Sequence, residues 1–418
     1  MSGTDADRPD APDRRLGVLL LFDSAFPYSG GGRETGIYHI CKYGCDRLDV
    51  RILTYRPARG LTQARFSDAD AYCRLHPVFT FQSLARMRGY NAVARTVDHL
   101  LFPAMCRRAA RSVTHGWRPD VVLCLHASPL AMAAHRLARQ LGARSAINMR
   151  SYYCREIAGG RGLLRHALPY LRRAERQAMQ RVDMVLANGE DTFEYARAIR
   201  GPEKRTVLVH NGVDTQLFAP GPGDAVRARL GWGDCVVFMS NNPMRRIKGP
   251  QDAIAALARM PADVRRRCRV VFFSKTEAVF APYRDLARSL GVGEQVVVLG
   301  HVRHEDLPAY LNAADVALHP VLFSAGTTHA SLETLACGLP QVSYNAAGLR
   351  STCITGETGI LVEPGDVDGL ARAMTELASD ADMRKRMAVA ARERSLAFDW
   401  PKYLDRYVAV LRDLVGTT

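Results

Sequence analysis

Short apolar runs alternate with amphipathic stretches along nearly the whole chain. The first run, 16–22, is apolar at almost every position rather than at every second one. Such a run is typical of a parallel strand that is buried on both faces of its sheet. The amphipathic stretches between the runs have the length and spacing of helices. The pattern therefore predicts an α/β protein built on parallel sheets.

The strand and helix signals form two series, separated by a stretch rich in Gly and Pro at 211–223. The predicted strands of the first series are 16–22, 50–55, 121–125, 143–149, 184–187 and 206–210. Those of the second are 235–240, 270–273, 296–299, 316–319 and 341–344. Predicted helices include 129–141, 163–181, 250–259, 304–312 and 329–337. We predict two Rossmann-like, doubly wound domains facing a cleft, at 1–213 and 214–395, with a last helix in 396–418 that packs back toward the first domain.

Length and composition limit the class of protein. A chain of 418 residues exceeds what one hydrophobic core usually serves, which favours two domains. The 47% hydrophobic and 24% charged content excludes a disordered chain. No apolar run approaches the ~20 residues that a membrane-spanning helix needs. Residues 1–15 are polar and lack an apolar signal segment, so we expect a cytoplasmic protein.

The positive charge is concentrated in one stretch. The formal net charge is +15, yet residues 51–182 alone hold 23 Arg, no Lys and six acidic residues, a local net charge of +17. A field of this size favours an anionic partner, such as a membrane surface or a phosphorylated substrate. A nucleic acid is not expected, because no helix-turn-helix, zinc or aromatic RNA-binding pattern is present. The basic helical faces fit either contact with an anionic membrane or helices packed on the core with a solvated basic side.

A glycine-rich loop, 29–34, directly follows the first predicted strand and precedes a helix. Glycines such as Gly31 and Gly32 let main-chain N–H groups approach an anion closely, and a helix N-terminus adds a favourable dipole. The dinucleotide fingerprint is not matched, because its third glycine is missing. A tight turn without a ligand is an equally good interpretation.

A basic loop, 240–249, follows the first strand of the second series and contains Arg245, Arg246 and Lys248. Open α/β sheets bind ligands at the carboxyl ends of their strands. The forked charge of Arg and the point charge of Lys suit a diphosphate. The alternative is a solvated basic loop with no ligand.

A third loop joins a strand to a helix through Gly326, Thr327 and Thr328. Main-chain and hydroxyl donors at a helix start favour a phosphate. Glu333 lies about one turn into that helix, where its carboxylate could accept hydrogen bonds from sugar hydroxyls. The alternative for a lone helical Glu is an ordinary surface residue.

Taken in order, these segments resemble the retaining family-4 glycosyltransferases. Further matching segments are Asn211–Asp214 with Phe218, Leu332–Pro340 and Gly356–Asp366. The resemblance extends from Leu16 to the last helix. It implies the GT-B fold and transfer of a sugar, of the hexosyltransferase type, from a nucleoside-diphosphate donor with retention of configuration. It also implies that no metal or other cofactor is needed. The acceptor would be a hydroxyl of a glycan, a lipid-linked saccharide or a small molecule.

The resemblance also implies roles for single residues. Lys248 and Arg245 or Arg246 would hold the diphosphate, and Glu333 the ribose hydroxyls of the donor. Gly31 and Gly32 would approach the donor from the N-terminal, acceptor-side domain. Gly326, Thr327 and Thr328 would contact the donor from the C-terminal domain. His126, at a predicted strand end, would lie near the transferred sugar, although a structural role is the usual reading of a single His.

Two positions depart from the family pattern. Ala325 stands where the family usually has a Glu, eight residues before Glu333, and Pro243 stands where an Arg commonly precedes the Lys by five. Two other interpretations therefore stay open: a GT-B nucleotide-sugar epimerase, and a donor-binding subunit with weak catalysis. We expect a cytoplasmic enzyme with peripheral contact to an anionic membrane through 51–182.

Overall fold

A computed structural model of the protein describes residues 14–28, 31–57, 64, 66–80, 92–159, 163–274 and 276–416. The chain folds into two compact units. The first unit takes the chain up to Ala187, then residues 192–209, and finally the chain from Leu404 onward. The second unit takes residues 188–191 and 210–403.

The first unit is built on a parallel sheet of seven strands. The strands are β1 (Leu16–Phe22), β2 (Leu48–Tyr55), β3 (Arg74–Val78), β4 (Val121–Cys124), β5 (Arg144–Met149), β6 (Met184–Ala187) and β7 (Thr206–Leu208). Their spatial order is β3-β2-β1-β4-β5-β6-β7, and every neighbouring pair is parallel. Strands β1 to β3 are added toward one edge of the sheet and β4 to β7 toward the other, so the order of strands reverses between β1 and β4. In an open α/β sheet, this switch point is where a crevice for ligands forms.

Helices connect these strands. They are α1 (Gly32–Gly44), α2 (Ala92–Val113), α3 (Pro129–Leu141), α4 (Tyr153–Gly159), α5 (Leu168–Arg181), the part of α6 (Glu190–Arg200) from Thr192 onward and the part of α15 (Trp400–Gly416) from Leu404 onward. The sequence defines α3 at both ends. The Ser128 hydroxyl accepts from the Leu130 N–H at 3.1 Å, and Gly142 ends the helix at φ +64°.

The second unit repeats this architecture with six parallel strands. They are β8 (Val236–Ser240), β9 (Cys268–Phe273), β10 (Val296–Leu299), β11 (Val316–His319), β12 (Gln341–Tyr344) and β13 (Gly359–Val362), in the order β10-β9-β8-β11-β12-β13. Its helices are α7 (Asp224–Leu230), α8 (Pro250–Arg259), α9 (Ala262–Arg265), α10 (Glu277–Ser289), α11 (Leu307–Leu311), α12 (His329–Ala336), α13 (Val367–Ser379) and α14 (Ala381–Ser395).

Burial on both faces explains the continuous apolar strands. Along β8, Val236 and Phe238 pack into one core cluster, whereas Val237 and Met239 pack into another. Successive side chains of a strand point to opposite faces, so a strand between two helical layers needs an apolar residue at every position. The predicted α/β class with parallel sheets is confirmed.

Apart from small shifts at the ends of elements, the structure differs from the predicted elements at three places. Strand β13 was not among the predicted strands of the second series. Strand β3 was not predicted, because its sequence Arg-Leu-His-Pro-Val contains polar residues and a proline. It forms the edge of the sheet, which is where a proline is tolerated in a strand. The predicted helix 163–181 is divided into a short 3₁₀ turn, Leu163–Ala167, and α5, which carries Pro169 near its start.

None of the described helices combines the length and the apolar character that crossing a membrane would require. Of the predicted features, residues 29 and 30 of the glycine-rich loop and residues 58–63, 65, 81–91 and 160–162 of the basic stretch lie outside the described residues.

Candidate active site

Glu333, on α12, is held between two side chains of the second unit. Asn241 Nδ2 donates to Glu333 Oε2 at 2.8 Å, and His304 Nε2 lies 3.1 Å from Oε1. Only 13% of the Glu333 side chain is exposed. The carboxylate is therefore fixed in one orientation rather than solvated on a helix surface. Asn241 was not among the predicted site residues, although it directly follows β8, at the carboxyl edge of the sheet.

The basic loop forms a tight turn after β8. Arg246–Lys248 is a single 3₁₀ turn, in which the Lys248 N–H donates to the Arg245 carbonyl at 2.7 Å. The side chains of Arg245 and Arg246 are exposed, and Lys248 is partly buried. Three cations thus lie on one turn beyond the carboxyl end of β8.

Gly249 makes this turn possible. It has φ +71°, in the left-handed region, and a Cβ at this position would lie 1.9 Å from the Pro320 carbonyl oxygen. Both the backbone conformation and the close approach require glycine. The turn that carries Lys248 is therefore packed directly against the segment that follows β11.

A fully buried histidine joins the basic loop to α12. His319, the last residue of β11, receives a hydrogen bond at Nδ1 from Asn242 Nδ2 at 2.9 Å, and its Nε2 lies 3.0 Å from Thr334 Oγ1. Burial, and secondarily the charge of Lys248, lowers the pKa of His319 to about 3. The ring is therefore neutral, with Nε2–H donating to Thr334. His319, which was not among the predicted site residues, connects the basic loop, the end of β11 and α12.

Main-chain N–H groups of the loop before α12 donate hydrogen bonds to acceptors within the second unit. The Gly326 N–H donates to both carboxylate oxygens of Asp191 at 3.2 Å, and the Thr327 N–H donates to the Asn188 carbonyl at 3.0 Å. Gly326 has φ +65°, and a Cβ there would lie 2.0 Å from Asn188 Oδ1. These contacts hold the loop in place. A donor-binding role for Gly326 and Thr327 stays a prediction.

The two threonines of this loop differ in what they contact. Thr327 is buried, and its hydroxyl lies 2.9 Å from His210 Nδ1 and 3.0 Å from Ser351 Oγ. Thr328 is the N-cap of α12, and its hydroxyl accepts from the Ser331 N–H at 3.2 Å. Thr328 therefore defines the start of the helix that carries Glu333.

In the first unit, His126 and Asp23 meet at the switch point of the sheet. Asp23 follows β1 directly, and His126 lies two residues beyond β4. His126 Nε2 is 3.0 Å from Asp23 Oδ2, and Arg33 Nη1 is 3.3 Å from Asp23 Oδ1. Both His126 and Asp23 have side chains that are at most 9% exposed. His126 was a predicted site residue and Asp23 was not, because the only sequence signal of Asp23 is its place after the first strand.

Arg33 is charged in this setting. Burial by itself lowers the pKa of Arg33, but the neighbouring carboxylates, that of Asp23 foremost, outweigh it, and the pKa is raised above its ordinary value. The guanidinium also lies 5.8 Å from the centre of the Phe22 ring. The charge of Asp23 is thus balanced by a fixed cation.

The described glycines of the glycine-rich loop lie at the start of α1. Gly31 and Gly32 are exposed, and a Cβ at Gly31 would lie 2.9 Å from Glu34 Oε2. Glu34 is buried, with Ser24 Oγ donating to its Oε1 at 2.6 Å. Glycine thus leaves room for the buried carboxylate of the first helical turn.

Within the described part of the chain, no group of three or more His, Cys, Asp and Glu residues is placed to hold a metal ion. That the reaction needs no metal stays a prediction.

Each half of the chain matches the model of a known protein family. Residues 31–212 match the model of the glycosyl transferase 4-like domain, and residues 228–394 match that of the glycosyl transferases group 1. The chain is 31% identical, over 283 residues, to the GDP-mannose-dependent alpha-(1-6)-phosphatidylinositol monomannoside mannosyltransferase of Mycolicibacterium smegmatis. That match covers 65% of this chain and 70% of the relative. The chain belongs to the family-4 glycosyltransferases.

A second relative of this chain is D-inositol 3-phosphate glycosyltransferase 1 of Catenulispora acidiphila. The two are 31% identical over 245 residues, which is 56% of this chain and 58% of the relative. The first relatives found are thus matched over 58–60% of their own length.

The fold of the chain is similar to that of a solved structure, sucrose-phosphate synthase from Thermosynechococcus elongatus. The TM-score is 0.75 at 17% identity, with 97% of this chain and 100% of that chain covered. The predicted GT-B class, with two Rossmann-like domains, is confirmed.

Proposed function

We propose that this family-4 glycosyltransferase transfers a sugar from a nucleoside-diphosphate donor to a hydroxyl of an acceptor. The observation that supports this most strongly is the fixed carboxylate of Glu333, in the same unit as the cationic turn at Arg245, Arg246 and Lys248. A carboxylate accepts hydrogen bonds from paired sugar hydroxyls, and the cations attract a diphosphate.

The proposed chemistry is departure of the nucleoside diphosphate with development of positive charge on the sugar. Lys248 and Arg245 stabilise the negative charge that grows on the leaving diphosphate. Cations placed before the reaction starts provide this stabilisation without a metal ion. We also propose that the configuration of the sugar is retained, in keeping with the resemblance of the motifs.

The acceptor is proposed from the relatives and from the charge of the chain. The names of the two relatives describe enzymes that act on an inositol phosphate and on a phosphatidylinositol mannoside. An anionic or lipid-linked acceptor agrees with the charge of +17 in residues 51–182. We therefore propose an acceptor of this chemistry, used by a cytoplasmic enzyme at the membrane periphery.

One observation favours a second candidate, a donor-binding subunit with weak catalysis. Ala325 stands where the family usually has a Glu, and the loop around it is held by contacts of Gly326 and Thr327 within the unit. A chain of this kind would bind the donor but turn over slowly.

The test is a panel of nucleotide sugars, with the released nucleotide detected by mass spectrometry. We expect one donor to be hydrolysed slowly alone and faster with an inositol-phosphate or lipid-linked acceptor, without loss of rate in EDTA. The anomeric configuration of the product, read by NMR, tests retention. Binding of a donor without turnover across the acceptors would favour the donor-binding subunit, and conversion of the donor alone into an isomer would indicate an epimerase. If no nucleoside diphosphate binds at all, the proposal is wrong.

A further inference from the structure

On three helices of the first unit, the exposed charges of the described side chains are all positive. The described side chains of α2, α3 and α5 include nine exposed arginines. The acidic residues of these helices are Asp98 and Glu175, and both are buried, at 1% and 3% exposure. No exposed carboxylate among the described residues of the three helices offsets the arginines. The sequence indicated a basic stretch, and the fold gathers its charge on adjacent helices.

A groove lies between these helices, because α3 packs against both α2 and α5. Its volume is about 460 Å³. Arg107 of α2, Arg136 of α3 and Arg173 of α5 line it, together with apolar residues that include Leu100 and Tyr170. Within the described part of the chain these three arginines form no ion pair.

Exposed apolar side chains accompany the arginines. Leu100 of α2 and Tyr170 of α5, which line the groove, are 45% and 59% exposed, and Leu101, the next residue of α2, is 46% exposed. Leaving such side chains in water is unfavourable, and their grouping with cations is typical of a surface that lies in the interface of a bilayer. There, arginines contact the lipid phosphates while leucine and tyrosine side chains enter the region below them.

We propose that the groove between α2, α3 and α5, called here the arginine groove, docks the protein on an anionic bilayer. A nucleic acid would use the arginines but leave Leu100, Leu101 and Tyr170 without an apolar partner, so the observations favour lipid. That the acceptor is lipid-linked rests on the proposed function, whereas the docking of the protein on a bilayer does not depend on it.

The position of the arginine groove relates it to the acceptor-side residues of the first unit. Helix α3 begins at Pro129, which lines the groove and lies three residues after His126. The groove therefore begins near the carboxyl edge of the sheet, where His126 and Asp23 meet. Docking through it brings this edge close to the lipid surface.

The experiment is co-sedimentation of the full chain with vesicles, without substrate. Vesicles of equal parts phosphatidylglycerol and phosphatidylcholine are compared with pure phosphatidylcholine, at low salt and at about 0.5 M salt. The test variant is Arg107→Glu/Arg136→Glu/Arg173→Glu. The control, Arg266→Glu/Arg267→Glu/Arg386→Glu, changes the net charge equally through exposed arginines of the second unit. Circular dichroism and the thermal midpoint verify that both variants fold.

We expect binding to the anionic vesicles only, weakened by salt. The groove variant should bind about 100-fold more weakly, and the control nearly as well as the unchanged protein. Leu100→Ser/Leu101→Ser should also weaken binding, which reports the apolar contribution.

Three outcomes would overturn the proposal. The first is no sedimentation with anionic vesicles at low salt. The second is an equal loss in the groove variant and the control, which would assign the binding to net charge alone. The third is binding to a nucleic acid duplex that the groove variant abolishes, with no effect of the leucine substitutions on vesicle binding. None of these readouts depends on turnover, so failure of docking and failure of the proposed transfer are distinguishable.

Discussion

Both units place polar residues beyond the carboxyl ends of their strands. Exposed arginines lie there in the second unit, whereas the side chains of an aspartate and a histidine are buried there in the first. In the second unit, Arg245 and Arg246 are exposed after β8, and Glu333 is held by neighbours that carry no fixed charge. In the first unit, Asp23 and His126 are buried after β1 and β4, with Arg33 beside them. Exposed cations are available to an anionic ligand, whereas buried and balanced charges mainly hold a shape. This comparison predicts that the second unit binds an anionic ligand and that the buried charges of the first unit position its side chains.

The largest expected effect comes from removing the cation of the second unit. Lys248→Ala should lower kcat about 10²–10³-fold, because the charge of the leaving diphosphate loses its stabilisation. The free energy of unfolding should change little. Steady-state kinetics with the donor found in the screen measures the effect, and Lys402→Ala, at an exposed position of α15, is the control. Near-normal turnover of Lys248→Ala would contradict the proposal that the cations of the second unit stabilise the leaving diphosphate.

Acid should destabilise the second unit through His319. The pKa of this residue falls from 6.5 to about 3 on folding, so below pH 6.5 the unfolded chain binds a proton that the folded unit does not. The free energy of unfolding of the second unit therefore has its full value above pH 6.5 and decreases as the pH falls toward 3, by roughly 3 kcal/mol at pH 4. Hydrogen exchange of the β11 and β12 amides as a function of pH measures this loss.

The control for this pH dependence is a matched histidine substitution. His319→Gln should flatten the acid slope of the second unit, whereas His301→Gln, at an exposed position, should not. An unchanged slope in His319→Gln would show that other groups cause the acid sensitivity.

Removing the buried carboxylate of the first unit should affect stability. Asp23→Ala leaves Arg33 and His126 without their shared partner, and we expect the free energy of unfolding of the first unit to fall by about 2 kcal/mol. Hydrogen exchange of β1 and β4 amides reports this loss by unit. Asp46→Ala, at an exposed position that contacts Arg47 at 3.7 Å, should be nearly neutral. If Asp23→Ala left these amides unaffected, a positioning role for the buried charges would be wrong.

The smallest expected effect concerns Glu333. Glu333→Gln keeps the shape of the side chain but replaces a charged acceptor by a neutral one, so donor affinity should fall about tenfold. Isothermal titration with the nucleoside diphosphate measures it, and Glu357→Gln, at an exposed position, is the control. A loss of thermal stability without a loss of affinity would instead assign Glu333 a structural role.

Local features of the candidate site could be predicted from the sequence, and contacts between distant segments could not. The basic turn before α8 follows from a strand, three cations and a glycine that are neighbours in sequence. Asn241 and Glu333 are 92 residues apart, and Asn242 and His319 are 77 apart. Only the order of β8 and β11 in the sheet brings these pairs together. Without that order, Asn241 is one polar residue among many.

By itself, the sequence determined the class of fold, the two series of parallel strands, the family, and the segments that carry the candidate chemistry. These follow from patterns within single segments, because a strand buried on both faces or a turn that requires glycine restricts its own residues. The tertiary structure decided which side chains meet. It paired Asp23 with His126, held Glu333 between Asn241 and His304, and brought one arginine from each of α2, α3 and α5 to one groove. Such contacts depend on the order of strands and the packing of helices, which no single segment encodes.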